Sequence, residues 1–280
     1  MARRQDTSFA FQGELGAFSH AAAQKLLGLR INPIPCTSFR DVFEAVKSDA
    51  AALAVVPIEN TLHGSVHENY DHLLEYGFPV VGETSLRISH QLITMPGVRF
   101  RDIRRVFSHP VALNQCRSFF RKHKAIEPVP FYDTAGSVKM LRQEKPLNSA
   151  AIASETAASI YEGVIQRRDI EDDVQNFTRF FLLSKQTART PQAKGDPKTS
   201  IVFSTQNAPG ALFKAMACFA LRDLNLTKVE SRPLRGKPWE YVFYVDVAGS
   251  IQDQGVKNAL ANLAELTHFL KILGSYRPTP

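Results

Sequence analysis

Cysteine is scarce in this chain: Cys36, Cys116 and Cys218 form an odd set with no two close together. That speaks against a disulfide framework or a clustered zinc site, since both need paired or closely spaced thiols. Each cysteine is read as a small buried thiol. Long apolar runs are missing too, and none approaches the ~20 residues that a membrane-spanning helix needs. The opening Met1-Ala2-Arg3-Arg4-Gln5-Asp6 leads into Ser8-Phe9-Ala10-Phe11-Gln12-Gly13, which is too short and polar for a secretory signal core. A cytosolic protein with no membrane partner is therefore expected. Also absent is a basic stripe interleaved with aromatics. The net charge of +7 is spread along the chain, densest at Arg99, Arg101, Arg104 and Arg105. Nucleic acid is thus not an expected partner, whereas a mild positive field suits a small anionic substrate.

What is present is an ordinary globular composition, 44% apolar and 22% charged, over 280 residues, a length that suits two domains. Residues 8–183 read as alternating short strands and helices, the pattern of an α/β fold with a largely parallel sheet. Ser8–Gln12 reads as a strand, then a Gly13/Gly16 turn and a helix near Ser19–Leu27. Asp41–Lys47 reads as a helix, and Ala51–Val56 as a buried strand that stops at Pro57. Pro110 opens a helix through Phe120, and Asp133 or Thr134 caps one through Arg142. Thr187 to Pro197 is polar with two prolines, the mark of a linker. Beyond it come a strand, a helix at Pro209–Arg222, two strands, a helix at Gly255–Leu266 and a last strand at Phe269–Leu273. The second strand of the middle pair, Trp239–Val247, places Trp239, Tyr241, Phe243, Val245 and Val247 on one side. This order is the ferredoxin-like split βαβ. The expected division is 7–186, a linker at 187–197, and 198–280.

In such sheets ligands sit beyond the carboxyl ends of strands, against helix N-termini. The stretches found there are Gly13–Ser19, Pro57–Gly64, Ser108–His109–Pro110, Asp133–Gly136 and Asn176–Phe180, rich in hydroxyls and amides. That inventory suits a carboxylate-bearing ligand, although some of these residues would cap any helix. His63 and His67 are spaced as zinc ligands on a helix would be, but the Gly64-Ser65 between them argues against a helix there. His109 is read as a cap before a base, and Glu59 as structural at least as much as catalytic. Gly13 and Gly16 do not form a phosphate loop, which lacks its Lys-Ser/Thr ending here. Arg179 could meet a substrate carboxylate or pair with Glu171, Asp172 or Asp173.

Taken together these stretches resemble one family. Gly13-Glu14-Leu15-Gly16-Ala17-Phe18-Ser19, Pro57-Ile58-Glu59-Asn60-Thr61-Leu62-His63-Gly64-Ser65-Val66 and Ser108-His109-Pro110-Val111-Ala112-Leu113-Asn114-Gln115-Cys116 are similar to three motifs of the prephenate dehydratases. Asp133-Thr134-Ala135-Gly136 and Asn176-Phe177-Thr178-Arg179-Phe180 resemble two more. Gly210-Ala211-Leu212-Phe213 and Glu230-Ser231-Arg232-Pro233 resemble the two phenylalanine-binding signatures of the family's ACT domain. The ordered set spans Phe9 to Tyr276.

The resemblance implies a two-lobed catalytic domain like a periplasmic binding protein, followed by an ACT domain that binds L-phenylalanine in a homodimer or homotetramer. It implies Thr178 as the principal catalytic residue. Ser19, Asn60, Thr61, Gly64, Thr134, Arg179 and Phe180 would belong to the substrate cleft, and Gly210–Phe213 and Glu230–Pro233 to the effector site. It departs from the common pattern at Thr61, where the family often has Ser, and at Ser137-Val138, where arogenate-using relatives often read Ala-Ala. The second departure leans toward prephenate as substrate. Decarboxylating dehydration of prephenate makes an aromatic ring, so it runs downhill and asks for no cofactor and no metal; it asks for a donor at the leaving hydroxyl. The rivals are arogenate dehydratase, which would need a carboxylate facing the substrate amine, and a non-catalytic amino-acid sensor.

Overall fold

The structure, a computed structural model, describes residues 7–186, 193–234 and 240–280. The first lobe begins with β1 (Thr7–Gln12), α1 (Phe18–Leu27), β2 (Ile31–Cys36), α2 (Phe39–Lys47) and β3 (Leu53–Asn60). β1 pairs in parallel with both β2 and β3. α2 starts where it does because Ser38 and Asp41 form a reciprocal capping box. β4 (Gly64–Ser65) folds back on β3, and α3 (His67–Tyr76) leads into β5 (Val80–Arg87).

The chain then crosses to a second lobe. There β6 (Gln91–Thr94), β7 (Arg105–Ser108), α4 (Pro110–Asn114), α5 (Arg117–Lys122), β8 (Glu127–Pro130), α6 (Thr134–Glu144), β9 (Ser149–Ala153), α7 (Glu155–Ile160) and β10 (Val164–Arg167) follow. Their sheet has the order β10-β6-β9-β7-β8. The single helix expected over Pro110–Phe120 is two. Asp172 is the reason: its N–H donates to Gln115 O at 2.6 Å, and its Oδ1 accepts from Ser118 N–H at 2.8 Å, so it caps α5 afresh.

β11 (Phe177–Ser184) returns to the first sheet, antiparallel to both β3 and β5. That sheet is consequently mixed instead of largely parallel. β3 also runs through Pro57 to Asn60, not ending at the proline. Proline donates no ladder bond, and the strand absorbs it by a register shift: Arg179 lies opposite Glu59, but Phe180 opposite Pro57.

The C-terminal domain is β12 (Lys198–Ser204), α8 (Ala211–Ala220), β13 (Leu226–Pro233), β14 (Tyr241–Ala248), α9 (Gln254–Leu266) and β15 (Phe269–Tyr276), with sheet order β13-β14-β12-β15. The ferredoxin-like βαββαβ order is as expected. Residues 187–192 of the expected linker and Trp239 of the expected strand lie outside the described residues. β14 alternates as expected at Phe243, Val245 and Val247, but both of its faces are buried. Phe243, Val245 and Val247 pack under α8 and α9, while Val242 and Tyr244 pack on Tyr70 and Leu73 of the first lobe. Both faces of the sheet are thereby covered, so burial does not follow the period of two although side-chain direction does. Tyr244 Oη donates to Tyr70 O at 2.9 Å, and β16 (Pro278–Thr279) joins β5 in parallel.

Candidate active site

A cavity of about 310 Å³ lies between the lobes, floored by Phe18, Pro57, Ile88 and Phe180. Ser19 enters it from the first turn of α1, and Thr134 from the first residue of α6. Asn60 and Thr178 are register partners across β3 and β11. Asn60 Nδ2 donates to Thr178 Oγ1 at 2.9 Å and to Asn176 Oδ1 at 2.8 Å. Asn60 Oδ1 accepts from the N–H groups of Leu62 and His63, each at 3.0 Å, which fixes the orientation of the amide. The Thr178 oxygen thus receives a hydrogen bond from protein, and its own proton is left for a ligand.

A polar relay crosses the mouth. Gln115 donates from Nε2 to His63 Nε2 at 2.9 Å, and its Oε1 accepts from His90 Nε2 at 2.7 Å. Burial lowers the pKa of His90, against a smaller opposing effect of the Gln115 bond, so its ring is held neutral. Asp133 caps α6, its Oδ1 accepting from Gly136 N–H at 2.6 Å, and it is the carboxylate among the residues lining the cavity. Burial pushes its pKa up, and the Gly136 bond works the other way. His109 caps α4 through Nδ1, which accepts from Val111 N–H at 3.3 Å.

The structure gathers Ser19, Asn60, Thr134, Thr178 and Phe180 about this cavity. It places the other expected cleft residues elsewhere. Thr61 spends its hydroxyl on the chain, donating to Gln175 O at 2.7 Å and accepting from Phe177 N–H at 2.9 Å. Gly64 is exposed in β4. Arg179 points to the face opposite Thr178, as strand alternation demands. It pairs there with Glu83 at 2.6 Å, Asp246 at 2.6 Å and Glu59 at 3.7 Å, not with Glu171, Asp172 or Asp173.

Of the expected effector residues, Gly210 precedes α8 and Leu212 and Phe213 lie exposed at its start, beside Ala211. Glu230 Oε2 accepts from Ser65 Oγ at 2.8 Å and Arg232 lies 3.9 Å from Asp71, so both turn toward the first lobe. Ser231 and Pro233, on the alternate side of β13, are exposed. His63 precedes α3, so the helical zinc spacing with His67 is not realised, and no group suited to a metal ion occurs among the described residues. Sequence reasoning did not single out Gln12, His90 or Gln115. Gln115 lies within the Ser108–Cys116 motif, whereas nothing in the local sequence marks His90.

Residues 9–188 match the family model described as prephenate dehydratase, and residues 199–265 match that of the ACT domain. Arogenate dehydratase/prephenate dehydratase 2 of Arabidopsis thaliana is 46% identical over 279 residues, covering 95% of this chain and 72% of that one. The solved prephenate dehydratase from Arthrobacter aurescens in complex with L-Phe aligns with a TM-score of 0.86 at 33% identity, over 97% of this chain and 90% of that one. A structure described as GqqA, a novel type of quorum quenching acylase, aligns with a TM-score of 0.88 at 34% identity, over 98% of each chain.

Proposed function

This chain belongs to the prephenate dehydratase family and carries a C-terminal ACT domain, and on that premise we propose that it converts prephenate to phenylpyruvate. Carbon dioxide leaves from the ring carboxylate, its bonding electrons enter the ring, and hydroxide departs from the opposite carbon. A donor aimed at that oxygen binds the transition state better than the substrate. The observation that carries the reading is the Asn60–Thr178 pair: the amide occupies the threonine oxygen and leaves its proton directed at the leaving hydroxyl. A threonine hydroxyl holds its proton too tightly to be the acid, so it stabilises by hydrogen bonding and water supplies the proton. Ser19 and Thr134, at helix starts, serve as neutral donors to carboxylate. Thr178 as a nucleophile would need a base at its hydroxyl, and here the partner of Thr178 Oγ1 is the amide N–H of Asn60.

Thr178→Ala should lose about 10²–10³ in kcat, and Thr178→Ser should keep most of it. Near wild-type turnover by folded Thr178→Ala would refute this role. One observation also favours arogenate as a second substrate: Asp133 offers the cleft a carboxylate that an ammonium group would meet. Phenylalanine as effector is supported by Leu212 and Phe213, exposed in the first signature, and Phe213, Leu221 and Val229 offer a surface that a second copy would cover. A cytosolic location accords with three free thiols.

A further inference from the structure

The pleat of two strands divides their residues between two tasks. On one face of β3 and β11, Asn60 and Thr178 meet in the cleft. One residue back on β3 and one forward on β11, Glu59 and Arg179 are themselves register partners and turn to the other face. There the C-terminal domain holds them. Lys228 of β13 lies 2.9 Å from Glu59 Oε1, and Asp246 of β14 lies 2.6 Å from Arg179 Nη2. Glu59 and Arg179 are 3.7 Å apart, so the four groups form one chain of alternating charge across the domain boundary.

The surroundings make this chain stiff. Glu83 of β5 takes Arg179 at 2.6 Å and Lys198 of β12 at 2.8 Å. Tyr276 of β15 donates to Glu83 Oε2 at 2.9 Å and lies 2.8 Å from Ser200 Oγ, which in turn donates to Asp246 Oδ1. Glu230 reaches Ser65 beside the Asn60 turn. Asp246 Oδ2 meets the Arg179 guanidinium as a charge. Burial works against the charge on Arg179, but the carboxylates of Asp246 and Glu83 outweigh it and keep the guanidinium protonated.

We propose that Asp246 and Lys228 of the C-terminal domain are positioning residues for the reaction: by holding Arg179 and Glu59 they set the Asn60–Thr178 pair on the opposite face of the same strands. The inference rests on the dehydratase reading of that pair. Neither residue touches the cleft, so both act through their neighbours. Because Lys228 lies on the strand that bears one phenylalanine signature, β13 is also the route by which an effector would reach Thr178.

The test uses the full chain and compares Asp246→Asn, Lys228→Met and, as a control, Tyr244→Phe. The control removes another buried contact between the same domains without touching Glu59 or Arg179. Expected is a fall in kcat of about tenfold for Asp246→Asn and Lys228→Met at nearly unchanged KM, with a weakened response of turnover to phenylalanine. Tyr244→Phe should lower Tm but leave kcat and the phenylalanine response near wild type. Equal kcat in all three, or a fall in kcat that tracks the loss of Tm in all three, would overturn the proposal. Should Asp246→Asn fail to fold, Lys228→Met decides alone, since Glu59 keeps solvent and Arg179 as partners. Absence of wild-type turnover on prephenate and arogenate would instead defeat the dehydratase reading, an outcome distinct from any difference among the variants.

Discussion

At the scale of single residues, the cleft runs on neutral donors set beside one carboxylate. Asp133→Asn keeps the cap on α6, since asparagine caps as well as aspartate, and removes only the charge. Arogenate turnover should fall relative to prephenate turnover by about tenfold, read by assaying both substrates with one preparation. An unchanged ratio would remove Asp133 from amine recognition. The buried histidines set a pH dependence of the fold. Burial lowers the pKa of His20 and of His90 below the ordinary 6.5. The unfolded chain therefore binds protons that the folded one refuses. The stability this gives is present above pH 6.5 and is lost as pH falls through the folded values. Asp133, raised by burial, acts in the opposite sense, its contribution being lost as pH rises through its folded value. Tm followed from about pH 8 down to about pH 5 should decline, and His90→Gln should flatten that decline.

At the scale of elements, caps and turns were legible while pairings were not. Asp133 before α6 and Pro110 at the start of α4 announced those helices in the sequence. The break after Gln115 was invisible, because its cause, Asp172, comes from far along the chain. In β14 the alternation of Phe243, Val245 and Val247 is legible, but the burial of the opposite face by the first lobe is not. The Gly13–Gly16 turn shows what a motif glycine does here. Gly16 has φ of +92°, and a Cβ there would lie 2.6 Å from Ala157 Cα of α7, across the lobe boundary. Gly16→Ala should lower Tm by roughly 5–10 °C, from a strained backbone and a wedge between the lobes. A Tm within a degree or so of wild type would show that the lobes simply part to admit the methyl. Ser19, Asn60, Thr134 and Thr178, each from a different motif, line one cavity. The motif order could not say that Thr61 and Arg179, beside two of them, turn away, because that depends on register and alternation.

At the scale of the whole molecule, the C-terminal domain is built onto the first lobe. Tyr244, Leu273 and Tyr276 share a buried cluster with Tyr70, Leu73 and Val80. Gly274 sits so close to β5 that an added Cβ would lie 2.0 Å from Val80 O. Gly274→Ala should therefore cost about 1–3 kcal/mol, measured by urea unfolding, and more if the two domains unfold together. A cost near zero would mean that the interface slides. The polar stretch after Thr187 breaks the α/β rhythm of the sequence, and composition alone suggests a division there. The interface was not legible, because its residues look like ordinary core in either half.

The cluster shared by Tyr70, Val80, Tyr244 and Tyr276 bears on modularity. Two sequence modules meet here, yet neither owns all of its own interior. Exchanging the second module for that of a distant relative would import a foreign wall into the first, with Glu83 and Arg179 facing charges chosen for another partner. Inheritance by shuffling is thus open to this architecture only where the contact face travels with the module, and substitutions on the two sides should be found to change in step.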